Sequence, residues 1–195
     1  MPTVGVLSYQ GGFQKHLERL SSIGAAVTAV RNLESLAGVD ALVIPGGEST
    51  TIGMLMGRFG LLDAVRSRIA DGFPVFGTCA GAILLAREIE GSDQPRIGAL
   101  NAVVRRNAYG RQIESFEADV VLAGPTEGWN GGAFHGVFIR APWIVSTGPD
   151  VTTILAYEER PVLVRQGSLL AATFHPELTS DDRIHRYFIE QVVSP

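Results

Sequence analysis

Short apolar runs alternate with amphipathic stretches through the first half of the chain. Runs at residues 3–8, 26–31, 41–44 and 74–77 have the length and apolar content of buried strands. Helical spacing of apolar residues predicts helices at residues 13–23, 51–56, 61–70 and 82–88. Strands that alternate with helices favour an α/β fold with a parallel, doubly wound sheet.

The second half of the chain consists mainly of short apolar runs with short connections. Predicted strands lie at residues 102–104, 116–122, 136–139, 153–157, 162–164 and 169–174. Turn signals at residues 123–125, 148–150 and 166–168 separate several of them, which favours a partly antiparallel extension of the sheet. A closing amphipathic helix is expected at residues 182–193. Because no linker or repeat interrupts the chain, a single domain spanning residues 1–195 is predicted.

Composition restricts the partners and the compartment. The chain has 195 residues, 46% of them hydrophobic, and a net charge of −4. This charge argues against nucleic acid or an anionic membrane as the main partner. The N-terminal segment lacks the pattern of a signal peptide, and no apolar run is long enough to span a bilayer. A single cysteine rules out an internal disulfide and fits a reducing compartment, so a cytoplasmic protein is expected.

That cysteine, Cys79, lies in the segment Gly-Thr-Cys-Ala-Gly at residues 77–81, between a strand-like run and a helix-like run. A sharp strand-to-helix turn of this kind lifts a nucleophile above the sheet, and the flanking glycines permit the tight backbone. Free cysteines also occur as small hydrophobic core residues. The glycine frame favours a nucleophile.

A nucleophilic thiol needs a base and a group that orients the base. His175 ends an apolar run and precedes Pro176, which favours an extended backbone. Residues two apart on an extended backbone share a side, so His175 and Glu177 are expected to emerge together. The amides of Ala80 and Gly47 are the expected oxyanion donors. The other histidines, His16, His135 and His185, are interpreted as surface or structural residues.

The motifs, taken together, resemble the triad (class I) glutamine amidotransferases, and within them the glutaminase subunits of pyridoxal 5′-phosphate synthase. The segments that carry the resemblance are residues 5–7 with 10–11, 45–51, 77–81, 106–112, 114–117, 138–142 and 174–177. The turns at Cys79 and His175 identify the superfamily, whereas Gly-Gly-Glu-Ser-Thr-Thr and Arg-Asn-x-Tyr-Gly-Arg-Gln are more specific. The resemblance implies a flavodoxin-like three-layer αβα sandwich.

The resemblance also implies residue roles. Cys79 would be the nucleophile, His175 the base and Glu177 its partner. The residues implied to hold glutamine are Gly47, Glu48, Ser49, Arg106, Ile139 and Arg140. An arginine suits the substrate carboxylate because its fork offers paired donors, but the strand register decides whether Arg105 or Arg106 faces the site. Gln10 is expected to have an accessory role near the active site and the partner interface.

The implied activity is hydrolysis of L-glutamine to L-glutamate and ammonia, with no metal or organic cofactor. The ammonia would pass to a (β/α)₈-barrel synthase subunit that makes pyridoxal 5′-phosphate (vitamin B6). Two alternatives stay open: another elbow-cysteine enzyme of this architecture, such as a γ-glutamyl hydrolase, a chaperone or a protease, and a non-catalytic regulatory subunit.

Overall fold

A computed structural model describes residues 2–108 and 115–194. Residues 109–112 and Glu114 of the predicted family motifs therefore lie outside the described residues. The strands are β1 (Thr3–Leu7), β2 (Ala26–Val30), β3 (Ala41–Ile44), β4 (Val75–Thr78), β5 (Ala86–Ile89), β6 (Leu100–Arg105), β7 (Ser115–Leu122), β8 (Phe134–Ile139), β9 (Trp143–Thr147), β10 (Thr152–Tyr157), β11 (Arg160–Gln166) and β12 (Leu169–Ala172). The helices are α1 (Phe13–Ser22), α2 (Leu33–Ala37), α3 (Ser49–Arg58), α4 (Leu61–Ala70), α5 (Ala80–Leu85) and α6 (Arg183–Tyr187), which continues as a π-helix over Phe188–Val193.

The central sheet has nine strands in the order β2-β1-β3-β4-β12-β11-β10-β7-β8. The first five strands are parallel, and the last four pair antiparallel. The predicted α/β class, with a parallel core and an antiparallel extension, is confirmed. Since β12 takes the fifth parallel position beside β4, a strand from the end of the chain lies next to the strand that leads to Cys79.

Apolar side chains are buried on both faces of the parallel strands β1, β3, β4 and β12, which gives the three layers. In β3, Leu42 and Ile44 pack into one core with residues of α3, α4 and α5. Ala41 and Val43 point the other way and pack with residues of α1 and α6. Burial on both faces explains why these strands are continuous apolar runs instead of alternating ones.

Several predicted boundaries were wrong. The helix predicted at residues 82–88 covers Ala80–Leu85, and residues 86–89 form β5 because they pair with β6 in a separate three-stranded sheet, β5-β6-β9. The strand predicted at residues 169–174 ends at Ala172. The backbone amide of Thr173 donates to the carbonyl oxygen of Val162 on β11, and that of His175 donates to the carbonyl oxygen of Val137 on β8. The chain therefore leaves β4 at this point. Helix α2 and strand β9 were not predicted.

Within the described ranges, no helix combines the length and the apolar character needed to cross a membrane.

Candidate active site

Cys79 lies at the end of β4, in the turn before α5. Its backbone has φ 48° and ψ −100°, a left-handed φ that non-glycine residues seldom adopt. The amide of Cys79 donates to the carbonyl oxygen of Ala172 on β12, which ties the turn to the neighbouring strand at 2.8 Å. A side chain at Gly81 would place Cβ 2.0 Å from the carbonyl oxygen of Ile44. The second glycine of the motif is therefore required by the close approach of α5 to β3.

His175 reaches the same edge of the sheet because β12 runs parallel to β4, with Ala172 paired to Thr78. Nδ1 of His175 lies 2.8 Å from Oε1 of Glu177, and we infer that Nδ1–H donates to this carboxylate. The local backbone differs from the prediction, since Pro176–Leu178 form a 3₁₀ turn. The turn brings the two side chains together where an extended backbone was expected.

The charges on this pair are set by opposing effects. Burial lowers the pKa of His175, but hydrogen bonds and charge interactions with Cys79 and Glu177 outweigh it and raise the pKa to about 10. Burial raises the pKa of Glu177, but His16 and His175 outweigh it and hold the pKa below its usual value. At neutral pH the pair is therefore an imidazolium beside a carboxylate, and an imidazolium can protonate a leaving nitrogen.

A cavity of about 280 Å³ opens at Cys79 and His175. Its wall is formed by Gly11, Gly12, Gly46, Gly47, Glu48, Ser49, Cys79, Ile83, Arg106, Asn107, Ile139, Arg140 and His175. All six residues predicted to bind the substrate are among them. A side chain at Gly46 would place Cβ 2.3 Å from Cε1 of His175, so glycine is needed there to admit the imidazole.

Three predicted residues lie next to this cavity without lining it. Ala80 is buried directly after Cys79, and Glu177 lies behind His175. Gln10 donates from Nε2 to the carbonyl oxygen of Glu48 at 3.1 Å. Of the two residues predicted to supply oxyanion donors, Gly47 lies in the cavity wall and Ala80 directly follows Cys79.

The two neighbouring arginines at the end of β6 have different surroundings. Arg106 follows the strand and lies in the cavity wall, whereas Arg105 forms an ion pair with Glu90. The guanidinium of Arg106 donates to Gln94 Oε1 at 2.6 Å, and it also contacts Thr50 at 3.1 Å and Glu48 at 3.2 Å. These contacts hold its side chain in one place.

Glu48 caps the first turn of α3. Its carboxylate accepts from the backbone amides of Thr50 at 3.1 Å and Thr51 at 2.8 Å. Burial raises the pKa of Glu48, but these bonds outweigh it and lower the pKa to about 2. The ionised carboxylate anchors Arg106 as well as the helix.

Gln94 holds residues of the cavity wall in place, and the sequence did not predict this role. It is buried, and its Oε1 accepts from Ser49, Thr50 and Arg106. A lone glutamine in a loop carries no periodicity or motif that would have singled it out.

Strained backbone is concentrated at this cavity. Among the described residues, five non-glycine residues have positive φ, and Cys79, Asn107 and Arg140 all line the cavity. The other two, Glu158 and Glu159, form the turn between β10 and β11. Residues held in unfavourable conformations cluster at functional sites. The thiol of Cys79 lies 3.8 Å from the carbonyl oxygen of Ile139, beside one of these strained positions.

The remaining histidines have different surroundings. His16 and His185 are fully buried, and Nε2 of His16 lies 3.4 Å from Oε2 of Glu177. His135 is exposed on β8 between Glu117 and Asp119. Within residues 2–108 and 115–194, no group of three or more His, Cys, Asp or Glu side chains is arranged to hold a metal ion.

Residues 6–194 match the SNO glutamine amidotransferase family. The chain belongs to this family. It is 50% identical over 189 residues to "Pyridoxal 5′-phosphate synthase subunit PdxT" of Moorella thermoacetica, an alignment that covers 97% of this chain and 98% of the relative. It is 53% identical over 189 residues to the protein of the same name from Thermus thermophilus, with 96% of each chain covered.

Solved structures agree with this assignment. A crystal structure described as a glutamine amidotransferase is 53% identical, has a TM-score of 0.89, and covers 96% of this chain and 97% of its own. The structure of PurLQS from Thermotoga maritima is 15% identical with a TM-score of 0.74, and it covers 96% of this chain and 97% of its own. At that identity the likeness shows the fold alone.

Proposed function

We propose that this chain hydrolyses L-glutamine to L-glutamate and ammonia, and delivers the ammonia to a synthase subunit that makes pyridoxal 5′-phosphate. The carrying observation is the cavity in which Cys79 and the His175–Glu177 pair meet Arg106 and the strained Ile139–Arg140 segment. Membership of a glutamine amidotransferase family supports glutamine as the substrate. The proposal treats residues 1–195 as one glutaminase domain.

The reaction begins when Cys79, after transfer of its thiol proton to His175, attacks the δ-carbon of glutamine as the thiolate. The amides of Gly47 and Ala80 stabilise the oxyanion, and each such donor contributes roughly 10²–10³ in rate. Protonated His175 gives its proton to the amide nitrogen as the C–N bond breaks, so ammonia leaves and a γ-glutamyl thioester forms. Neutral His175 then takes a proton from water, which attacks the thioester. Cleavage of the C–S bond releases glutamate and restores the thiolate and the imidazolium.

The substrate is oriented by groups at both ends of the cavity. Arg106 is held by Glu48 and Gln94, and it presents its guanidinium to the α-carboxylate of glutamine. The Ile139 carbonyl oxygen lies 3.8 Å from the thiol, a position from which it accepts a hydrogen bond from the side-chain amide. Gly47, Ser49 and Arg140 complete the wall around the substrate.

The fate of the product favours a synthase partner. Ammonia released into water at neutral pH is mostly protonated and lost as a nucleophile, so a direct transfer to the acceptor enzyme is advantageous. The relatives named as synthase subunits support this partnership. We propose a (β/α)₈-barrel synthase subunit, docked near Gln10 and α1. The proposed compartment is the cytoplasm, where the single cysteine stays a free thiol.

The test is a glutaminase assay of the wild type and Cys79→Ala, each with and without the synthase subunit from the same organism. We expect the wild type to release ammonia faster with the synthase, and Cys79→Ala to lose about 10³-fold or more of the rate because no thioester can form. Full activity of Cys79→Ala would overturn the assignment. Cleavage of γ-glutamyl peptides in preference to glutamine would indicate a γ-glutamyl hydrolase instead.

A further inference from the structure

The far side of Glu177 contacts a buried pair of histidines from two helices. Oε1 of Glu177 accepts from His175, and Oε2 lies 3.4 Å from Nε2 of His16 on α1. The same nitrogen lies 3.1 Å from the hydroxyl of Thr78, the residue before the nucleophile. Nδ1 of His16 lies 3.0 Å from Nε2 of His185 on α6. A continuous series of polar contacts therefore runs from the cavity into the core.

The tautomers in this series follow from the contacts. Burial lowers the pKa of both His16 and His185, so each ring is neutral at neutral pH and carries one N–H. If His16 carried its hydrogen on Nδ1, its unprotonated Nε2 would face the Glu177 carboxylate. Nε2 of His185 would have to accept the Nδ1–H of His16, so His185 would carry its own hydrogen on Nδ1. Among the described residues, that Nδ1 is buried with no hydrogen-bond partner. A buried N–H without an acceptor is costly.

The opposite arrangement satisfies more groups. His185 donates from Nε2–H to Nδ1 of His16, and His16 directs Nε2–H toward Thr78 Oγ1 and Glu177 Oε2. Only the Nδ1 lone pair of His185 then lacks a partner among the described residues. Glu177 Oε2, which is buried and has no hydrogen bond within normal geometry in the described part of the chain, then faces the Nε2–H of His16, with 3.4 Å between the nitrogen and the oxygen.

We infer that His16 is a positioning residue for the glutaminase reaction: its Nε2–H holds the Glu177 carboxylate toward His175, and His185 sets the His16 tautomer that makes this possible. The inference rests on the proposed function for its effect on rate. His16 touches neither the cavity nor the thiol, so it acts through Glu177 and Thr78. A side chain at Gly12 would place Cβ 2.9 Å from Oε1 of Glu177, so the start of α1 also confines the carboxylate.

Few charged groups compete for Glu177. His16 and His175 lie on its inner and cavity sides, and His185 lies behind His16. Lys15, Glu18 and Arg19 of α1 line a separate cavity of about 330 Å³ on the solvent side of Glu177. Because Glu177 is almost completely buried, the N–H of His16 acts on it with little screening by water.

The first experiment compares His16→Phe, which keeps an aromatic ring and removes both nitrogens, with His16→Gln, whose amide can replace the Nε2–H donor. His135→Gln, on the exposed face of β8, is the matched control. With the synthase present, we expect His16→Phe to lower kcat roughly tenfold to a hundredfold, the range typical of outer-shell partners. We expect KM to stay unchanged because the substrate is not touched. His16→Gln should recover most of the rate.

The pH profile separates positioning from a general loss of packing. Without the His16 N–H, burial raises the pKa of Glu177, so the acid limb of kcat/KM should move to higher pH in His16→Phe and return in His16→Gln. Equal losses in both variants, with no change in the pH profile, would overturn the inference. Circular dichroism and thermal unfolding show whether each variant is folded.

The second experiment does not depend on activity. The chain has four histidines, so ¹⁵N-histidine NMR with the single variants assigns each ring. We expect His16 and His185 to be neutral and protonated at Nε2 at neutral pH. A His16 that is bare at Nε2 or charged would overturn the inference. If the wild type releases no ammonia, the proposed function fails, while the tautomers and the carboxyl titration of Glu177 in the wild type and His16→Phe still decide the contact.

Discussion

A histidine lies on each side of Glu177, and the pKa values of the two histidines are shifted in opposite directions. His175 lies on the cavity side, where interactions with Cys79 and Glu177 outweigh burial and raise its pKa to about 10. His16 lies on the core side, where burial outweighs the attraction of Glu177 and the pKa is lowered. Both rings are within contact distance of the same carboxylate.

The difference shows that one carboxylate does not fix the charge of a neighbouring histidine. His175 has a second partner, Cys79, and it lies at the wall of an open cavity. His16 is sealed in the core, and the charge of His175 opposes a second positive charge there. The site can therefore keep His175 protonated on the cavity side of Glu177 while His16 and His185 on the core side stay neutral.

Removing the charge of Glu177 should have the largest effect on this contrast. In Glu177→Gln the volume is kept, but His175 loses the negative partner that raises its pKa. We expect kcat for glutamine hydrolysis to fall by roughly 10²–10⁴, the range of acid–base contributions, and the pKa of His175 measured by NMR to decrease. A variant that keeps its rate within about twofold would show that the carboxylate does not orient the imidazole.

Substitution of Arg106 should weaken substrate binding without changing the difference in protonation between His175 and His16. Arg106→Gln should raise KM roughly tenfold to a hundredfold, since hydrogen bonds to charged groups contribute about 1.5–3 kcal/mol. The pKa of His175 should not change. Arg105→Gln is the matched control, because Arg105 pairs with Glu90 outside the cavity. If both variants raised KM equally, the register of β6 would not select the binding arginine.

Stability should also depend on pH, and the sign of this dependence differs between the two histidines. The pKa of His175 is raised from 6.5 to about 10 in the folded protein, so its contribution is fully present below about pH 6.5 and is lost as pH rises through about 10. The pKa of His16 is lowered, so its contribution is present above about pH 6.5 and is lost as pH falls.

Chemical denaturation of the wild type, His175→Gln and His16→Gln from about pH 5 to 10 tests this. The difference in unfolding free energy between wild type and His175→Gln should shrink as pH rises. The difference for His16→Gln should grow between about pH 5 and 7. Parallel curves for the two variants would contradict the contrast between the two sides of Glu177.

Much of the parallel half could be predicted from local pattern. Strand β3 and helix α4 have the predicted boundaries, because buried parallel strands and amphipathic helices leave a strong periodic signal. Residues 86–89 could not be predicted, since their strand state depends on pairing with β6. Strand β9 likewise depends on pairing with β6, which no local signal encodes.

The candidate site shows the same division. Cys79, His175 and Glu177 stand in local motifs, so the residues could be named from the sequence, although the turn that joins the last two was predicted incorrectly. Gln94 contacts Ser49, 45 positions away, and His16 contacts Thr78, 62 positions away, and neither Gln94 nor His16 has a local signal.

Local sequence is enough to specify the α/β class and the glycine-framed turn at Cys79, because each depends on neighbours along the chain. The residues proposed to bind and cleave the amide could be named from the motifs that resemble a known family. Only long-range packing places β12 beside β4 and turns Arg106, not Arg105, toward the cavity. The same packing determines which histidine is charged. Strand order, register and burial depend on contacts between distant segments, and the pKa of a side chain depends on the charges and the solvent that these contacts place around it.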